Sequence, residues 1–205
     1  MSVTRTRLAP TQRREQLLDL GVQLLAVRRL EDLSIDVLAE EAGISRGLLY
    51  HYFSGKRGFH LAVLRRMADE VIALTAPSGE GDLATQLAGS LAAFVDFVST
   101  NHEAYAAFVG AAQAGDRDYH RIYEEARAAL TGRIFESADE SSLREVGLVE
   151  TPAVRLMVRG WSALVHEVVL AWLDDPRGVS REELLGSLSG ALLGVAAAAQ
   201  EPRST

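Results

Sequence analysis

The chain has 205 residues, of which 48% are hydrophobic and only 6% aromatic, which suits one large or two small helix-rich domains. It contains no cysteine, which excludes disulfide bonds and thiolate metal sites. Its 28 acidic and 21 basic residues give a net charge of −7, so any contact with a polyanion has to come from a locally basic part of the chain.

The first ten residues are polar and basic, without the apolar segment of a secretory signal, so we expect a cytoplasmic protein. Arg5 and Arg7 in this arm either belong to a solvated tail or reach a DNA minor groove, and the sequence leaves both open. A first helix is predicted from about Gln12 to Val27, with Thr11 as its cap. Its apolar stripe consists of Leu17, Leu18, Gly21, Val22, Leu24 and Leu25.

The next stretch, Leu33–Lys56, has the pattern of a helix-turn-helix. Ser34 is a typical N-cap residue, and Gly43 follows the helix at the point where a left-handed backbone is needed. Ser45 then caps a short second helix that extends to Tyr52. Two helices joined by about three residues, with Gly in the turn, are typical of DNA-binding units. The alternative is an ordinary helical hairpin with a glycine turn.

The second helix of this pair carries donor groups suited to DNA. Arg46 can donate in a fork to guanine or phosphate, and Gly47 lets the backbone approach a surface closely. Lys56 lies at the start of the following helix, where its charge adds to an N-terminus that attracts phosphate. Leu48 and Leu49 are the candidates for burial. The predicted DNA-binding residues are Ser34, Ser45, Arg46, Gly47, Leu48, Tyr50, His51, Tyr52 and Lys56.

Charge is divided unevenly along the chain. Residues 1–68 carry 11 basic and 7 acidic side chains, a net charge of +4, whereas residues 69–205 have a net charge of −11. This asymmetry favours an N-terminal part that faces a polyanion and a remainder that is kept away from it.

The N-terminal segments resemble the TetR family of transcriptional repressors. The resemblance rests on Leu17-Leu18-Asp19, on Ser34–Gly43, on Ser45–Phe53 and on Lys56, and covers about the first 65 residues closely. It implies a small-molecule effector that binds among the middle helices and releases the DNA. If the protein is a homodimer, it is expected to bind a pseudo-palindromic operator of double-stranded DNA. Such proteins commonly have Gly after the first helix, where this chain has Arg29. A left-handed backbone at Arg29 would cost about 1 kcal/mol, so the sequence leaves open whether the first helix ends in another conformation here.

The remaining chain is also predicted to be helical, giving an all-α fold of about nine helices. Residues 1–54 are expected to form a three-helix, helix-turn-helix DNA-binding domain, and residues 55–205 a helical effector-binding and dimerisation domain. The later helices are predicted near Gly55–Leu74, Leu83–Ser99, His102–Ala114, Asp116–Ser137, Thr151–Leu173 and Arg181–Gln200. The segment from Asp139 to Val149 is predicted to be a loop or a frayed helix.

Bulky rings stand beside many Ala and Gly positions in residues 83–170, a combination that can leave a mostly apolar cavity with a few polar tips. The alternative for each ring is ordinary core packing. The predicted ligand-binding residues are Phe97, Tyr105, Phe108, Tyr123, Met157, Trp161 and His166.

The last two helices are apolar on more than one face. Gly186, Gly190 and Gly194 recur every four residues, which allows another helix to approach closely. The alternative is tight packing inside one chain. We favour a homodimer interface through residues 151–173 and 181–199. The apolar run Leu184–Ala199 is interrupted by Gly and Ser and is predicted to be too short to span a bilayer, so no membrane contact is expected.

Motifs of catalysis are missing from the sequence. It has no nucleophile elbow, P-loop or zinc-protease helix, and its five histidines are scattered. We therefore predict no enzyme activity, no catalytic or metal-binding residue and no cofactor. Two kinds of DNA-binding protein remain: a repressor released by a small apolar or amphipathic ligand, and an activator or architectural protein without an effector.

Overall fold

The computed structural model describes residues 9–200, and in this part of the chain the fold is all-helical. The arm that contains Arg5 and Arg7 lies outside the described residues. The α-helices are α1 (Pro10–Leu25), α2 (Ile35–Ala42), α3 (Arg46–Tyr52), α4 (Gly55–Leu74), α5 (Leu83–Thr100), α6 (His102–Gln113), α7 (Arg117–Glu136), α8 (Glu140–Glu145), α9 (Pro152–Asp174) and α10 (Arg181–Gln200), with a 3₁₀ turn at Leu30–Asp32.

The described residues form two compact units. The first contains the residues up to Ala68 together with Glu103–Ile122, and the second contains Asp69–His102 and the residues from Tyr123 onwards. These units do not coincide with the division at residue 54 expected from the sequence, because α4 belongs to the first unit as far as Ala68. As a division of function, 1–54 against 55–205 stays a prediction.

A close approach of α1 to α4 holds the first unit together. A Cβ atom at Gly21 would lie 2.5 Å from Val63 Cγ2 and 3.0 Å from Phe59 Cζ. Phe59 and Val63 are themselves completely buried. Only a residue without a side chain therefore fits at position 21 at this helix separation.

Both ends of α1 differ from the prediction. The helix begins at Pro10 and not after Thr11, because Pro favours the first turn and Gln12 Oε1 accepts a hydrogen bond from the Ala9 N–H at 3.3 Å. It ends at Leu25, and Arg29 has an extended backbone with φ −67°. Arg29 therefore carries no left-handed strain, and the 3₁₀ turn carries the chain to α2 instead.

The capped starts of the later helices were predicted well. Thr151 Oγ1 accepts from the Val154 N–H at 3.1 Å, and Ser180 and Glu183 form the reciprocal capping box. The segment predicted as a loop or frayed helix contains α8, where Asp139 Oδ1 accepts from the Ser142 N–H at 2.9 Å.

Helices α9 and α10 pack against each other and leave a second apolar face uncovered. On α10 the buried residues recur every four positions, at Leu184, Leu188, Leu192 and Ala196. On the exposed side, Leu156 of α9 is 69% exposed and Leu193 of α10 is 46% exposed. A Cβ added at Gly186, Gly190 or Gly194 would meet nothing within 4 Å. Among residues 9–200, the glycine series is therefore not packed against another element.

Helices α5, α9 and α10 are each long and apolar enough to cross a membrane, by length and composition alone. The prediction that the last apolar run is too short was wrong, because α10 has 20 residues and extends beyond Leu184–Ala199 on both sides. At about 1.5 Å per residue such a helix matches the thickness of a bilayer core.

Candidate functional site

The turn between α2 and α3 has the geometry that the sequence predicted. Ser34 Oγ accepts from the Val37 N–H at 3.1 Å, which caps α2. Gly43 ends α2 with φ 62°, and the Ile44 N–H donates to the Ala39 carbonyl at 3.0 Å. Because Gly43 alone absorbs the left-handed turn, α3 leaves α2 within three residues.

Helix α3 is anchored on one side and exposed on the other. Leu49 is fully buried and Phe53 is 4% exposed, whereas Tyr50 is 61% exposed. Leu48 is 36% exposed, so its predicted burial is wrong: it lies one residue from Leu49 and therefore on another face of the helix. The exposed residues of this surface are Ser45, Arg46, Gly47, Leu48, Tyr50 and His51, with Tyr52 half-buried.

Two cations on this surface already have protein partners. Arg46 Nε lies 2.5 Å from Asp36 Oδ1, but both side chains are more than half exposed. Such a pair contributes only about 0–1 kcal/mol, so the guanidinium can exchange Asp36 for a base or phosphate. Lys56 Nζ donates to the Glu31 carbonyl, which ties the start of α4 to the 3₁₀ turn before α2.

A buried histidine connects α4 to the start of the helix-turn-helix. His60 Nε2 lies 2.5 Å from the Leu33 carbonyl oxygen, and its Nδ1 lies 3.2 Å from the Tyr119 hydroxyl. Since a carbonyl only accepts, Nε2 carries the proton and Nδ1 accepts from Tyr119. Burial lowers the pKa of His60, so the ring is neutral at pH 7. The contact fixes the residue directly before the Ser34 cap.

An ion cluster holds the first turn of α4. Arg57 Nη1 lies 2.6 Å from Asp116 Oδ2, and Arg57 Nη2 lies 2.7 Å from Asp118 Oδ2. The hydrogen bond from Arg57 lowers the pKa of Asp116 to about 2, and the two carboxylates raise the pKa of Arg57. The cluster therefore fixes the residue that directly follows Lys56.

The second unit contains a cavity of about 450 Å³ between α5, α7, α8, α9 and α10. Most of its wall is aliphatic or aromatic, including Leu87, Leu91, Phe94, Ile134 and Val165. The polar residues on the wall are Thr75, Ser90, Thr131, Arg133, Glu145, Ser162, His166 and Ser189. This is the size and chemistry of a small-molecule site.

One side of the cavity adjoins a buried polar network. Arg127 donates from Nη1 to Glu124 Oε1 at 2.6 Å, and from Nη2 to the Arg159 carbonyl at 2.7 Å and to Ser162 Oγ at 3.1 Å. His166 contacts the rings of Phe94 and Tyr123. Burial, aided by the charge of Arg127, lowers the pKa of His166 to about 3, so this ring is neutral at pH 7.

Comparison with known proteins identifies the N-terminal part. Residues 17–63 match the family model described as bacterial regulatory proteins, tetR family. A TetR-family transcriptional regulator from Streptomyces coelicolor has the same fold, with a TM-score of 0.77 and 29% identity over 94% of this chain and 83% of that one. The chain belongs to the TetR family.

Relatives of this TetR-family chain are similar over most of their length. The HTH-type transcriptional activator FasR of Mycolicibacterium smegmatis is 26% identical over 86% of this chain and 79% of its own. An uncharacterized HTH-type transcriptional regulator of Mycobacterium tuberculosis is 29% identical over 87% of this chain and 74% of its own. Each is named as a transcriptional regulator and neither as an enzyme, in agreement with the expectation from the sequence. The chain is a DNA-binding transcriptional regulator.

The structure places the predicted ligand residues of this TetR-family regulator in different surroundings. Trp161 and His166 lie on the cavity wall. Tyr123 is not on the wall, but its ring contacts the ring of His166. Phe97 is buried in the second unit, and Tyr105 and Phe108 are buried in the first, none of them on the wall. Met157 is 38% exposed and also lies off the wall.

Three parts of the site were missed from the sequence: the cluster of Arg57 with Asp116 and Asp118, the His60 contact, and Arg133 on the cavity wall. The first two join residues that are far apart in the chain, so no local spacing in the sequence indicates them. Arg133 carried a weak signal, because it is a charged residue between the apolar positions Leu130 and Ile134 of α7.

Proposed function

We propose that this TetR-family chain is a cytoplasmic homodimer that binds a pseudo-palindromic operator through residues 34–56 and represses transcription until a small apolar or amphipathic ligand releases it. One observation supports DNA reading best: α3, fixed by the Ser45 cap and by buried Leu49, exposes its donors on a single surface.

In this proposal the exposed residues have two roles, base contact and phosphate contact. Arg46 and Gly47 in the first turn of α3 approach the base edges, where Arg46 donates to guanine. Tyr50, His51, Tyr52, Ser45 and Lys56 donate to phosphates on either side and fix the register. Ser34, half-buried and engaged as the α2 cap, contributes through its backbone.

Measured binding to a selected operator tests these roles. Arg46→Ala is expected to lose about 1–3 kcal/mol of preference for its base pair, and Lys56→Ala to weaken binding to all sequences and to lower the salt slope by about one. Arg144→Ala, which removes an exposed cation of α8, is the matched control and leaves both quantities unchanged. Unchanged operator binding by a folded Tyr50→Ala, Lys56→Ala double variant would contradict the proposal.

The cavity supports control by a ligand. Thr75, which lines it, directly follows α4, the helix whose second residue is Lys56. A ligand that prefers the conformation with misplaced α3 helices shifts the population away from the DNA-binding form, and a tenfold loss of affinity needs about 1.4 kcal/mol of coupling. Displacement of the protein from its operator by apolar metabolites tests this control. If no compound in a broad screen changes DNA affinity, the effector-free alternative stands.

Activation is the second candidate because the relative FasR is named an activator. The same surface and cavity would serve an activator, and only the sign of the transcriptional effect differs. Deleting the gene in its own host and measuring transcripts beside the operator decides between them: they rise for a repressor and fall for an activator.

The uncovered faces of α9 and α10 support the homodimer. Leu156, Leu164 and Leu193 are between 41% and 69% exposed, and the exposed glycines of α10 leave room for a partner backbone. A second copy of the chain is the occupant that suits a two-fold operator.

A further inference from the structure

Two polar atoms of the second unit are buried without a hydrogen-bond partner among the described residues. They are Ser90 Oγ on α5 and Arg133 Nη1 on α7. Both residues line the cavity. Buried polar groups are nearly always paired in folded proteins, so two unpaired groups around one cavity indicate a missing partner.

Of the two terminal nitrogens of Arg133, one has a hydrogen-bond acceptor among the described residues and the other has none. Its Nη2 donates to the Ile72 carbonyl at 2.8 Å, while Nη1 has no acceptor among the described residues. Burial lowers the pKa of Arg133 from its ordinary value, although a guanidinium stays charged at pH 7. The cavity wall therefore holds a partly buried cation whose Nη1 group has no acceptor among the described residues.

Neither acidic residue near Arg133 forms an ion pair with it among the described residues. Glu145 is the one carboxylate on the wall among the described residues, and it is exposed to solvent. Glu136, whose charge acts on Arg133, is also exposed. His166 is neutral at pH 7 and adds no charge. A bound anion would accept hydrogen bonds from the two unpaired groups, Ser90 Oγ and Arg133 Nη1.

We propose that the cavity binds a single-chain amphiphile with an anionic head, of the class of long-chain carboxylates. The head accepts hydrogen bonds from Arg133 Nη1 and from the Ser90 hydroxyl, each brought to the cavity surface by a side-chain torsion. The chain lies along Leu87, Leu91 and Ile134. This inference names the ligand class of the effector site and therefore rests on the proposed function.

The cavity volume guides the length of the first probe. A volume of about 450 Å³ corresponds to about 15 water-sized groups at roughly 30 Å³ each. A methylene group is of similar size, so a head with a chain of roughly 10–14 carbons has a comparable volume. Dodecanoate is therefore the first probe.

The protein has a built-in reporter for the experiment. Trp161 lines the cavity, and Trp172, the second of two tryptophans in the chain, does not. In a Trp172→Phe background, Trp161 fluorescence is titrated with dodecanoate, dodecanol and dodecyltrimethylammonium. The two charged probes are kept below their micelle concentrations and dodecanol below its solubility limit. The expected order of affinity is dodecanoate at least tenfold tighter than dodecanol, with the cationic probe weakest.

Two substitutions test the head-group contact. Arg133→Gln is expected to weaken dodecanoate at least tenfold and to leave dodecanol unchanged, and Arg133→Lys to recover part of the loss. Glu145→Gln removes the other charge on the wall and is the matched control, with dodecanoate affinity equal or higher. Circular dichroism of each variant verifies that the helices are intact.

The outcomes separate this inference from the proposal on which it rests. If dodecanol binds as tightly as dodecanoate and Arg133→Gln changes neither, the cavity is a ligand site and the anionic class is wrong. If no probe changes Trp161 fluorescence, the inference and the role of this cavity as effector site both fail. Operator binding, measured without any probe, then tells whether the DNA-binding proposal still holds.

Discussion

Gly21 sets the distance between α1 and α4, and this gives a stability prediction. In Gly21→Ala the new methyl group would lie 2.5 Å from Val63 Cγ2, a short and branched side chain that cannot turn away. Overpacking of this kind lowers the free energy of unfolding by about 1–3 kcal/mol. Urea denaturation followed by circular dichroism measures the loss.

The control is a helical glycine with open surroundings. A Cβ added at Gly89 of α5 meets nothing within 4 Å, so Gly89→Ala is expected to raise the free energy of unfolding by about 0.5–1 kcal/mol. If both substitutions stabilise the protein alike, the close approach at Gly21 does not limit the packing.

His166 predicts a loss of stability in mild acid. Its pKa is about 3 in the folded protein, whereas an unfolded histidine takes up a proton near pH 6.5. The folded state thus binds fewer protons, so the contribution to stability is complete above pH 6.5 and is lost as the pH falls towards 3. Between pH 7 and pH 5 the expected loss is about 2 kcal/mol.

The comparison with His166→Gln isolates this effect. The lowered pKa of His60 acts in the same direction and remains in both proteins, so the difference between their pH profiles belongs to His166. Melting curves at pH 5, 6 and 7 measure it. Parallel pH profiles of the two proteins would contradict a neutral, buried His166.

Local features of single residues could be predicted, and long-range pairings could not. The caps at Ser34, Ser45 and Thr151 involve partners three residues away, so the sequence already contains both groups. The bond from Arg133 to the Ile72 carbonyl spans 61 residues, and nothing near Arg133 in the chain indicates it.

At the scale of the element, the shortness of α3 makes its cap important. A helix of seven residues is too short to persist by itself, so it depends on Leu49 and on the bond from the Leu48 N–H to Ser45 Oγ at 3.3 Å. Ser45→Ala is expected to cost about 1 kcal/mol of stability and to weaken operator binding. Thermal melting and fluorescence anisotropy measure the two effects.

Ser45→Asp separates capping from DNA contact. Aspartate is an equally good N-cap and suits the positive end of the helix, so stability is expected to return to the wild-type value. Its charge repels phosphate, so operator affinity is expected to fall below that of Ser45→Ala. Wild-type affinity in Ser45→Asp would mean that Ser45 lies away from the phosphates.

The helices could be predicted from their apolar period, but the faces that meet could not. Met157 and Trp161 stand one turn apart on α9, and yet Met157 is exposed whereas Trp161 lies on the cavity wall. Positions four residues apart lie on nearly the same side of a helix, so a small rotation of α9 decides which of them faces inward. That rotation depends on packing with α5 and α10, which no local pattern contains.

At the scale of the whole molecule, the second apolar face of α9 and α10 predicts self-association. A leucine at position 190 has open space in the single chain and favours helix over glycine, so Gly190→Leu should fold at least as well as wild type. In a dimer the same side chain would force the partner helix away. Sedimentation equilibrium is therefore expected to show monomers, with operator affinity lowered because each monomer reads one half-site.

Gly89→Leu is the matched control, because Gly89 is also an exposed helical glycine with nothing within 4 Å and lies on α5, outside the proposed interface. It should remain dimeric and bind the operator normally. If Gly190→Leu is dimeric with wild-type affinity, the interface lies elsewhere on the chain. A lipid bilayer is the other partner that the composition of α9 and α10 allows. Vesicle flotation then tests this alternative, because a protein that binds lipid through this face would float with the vesicles.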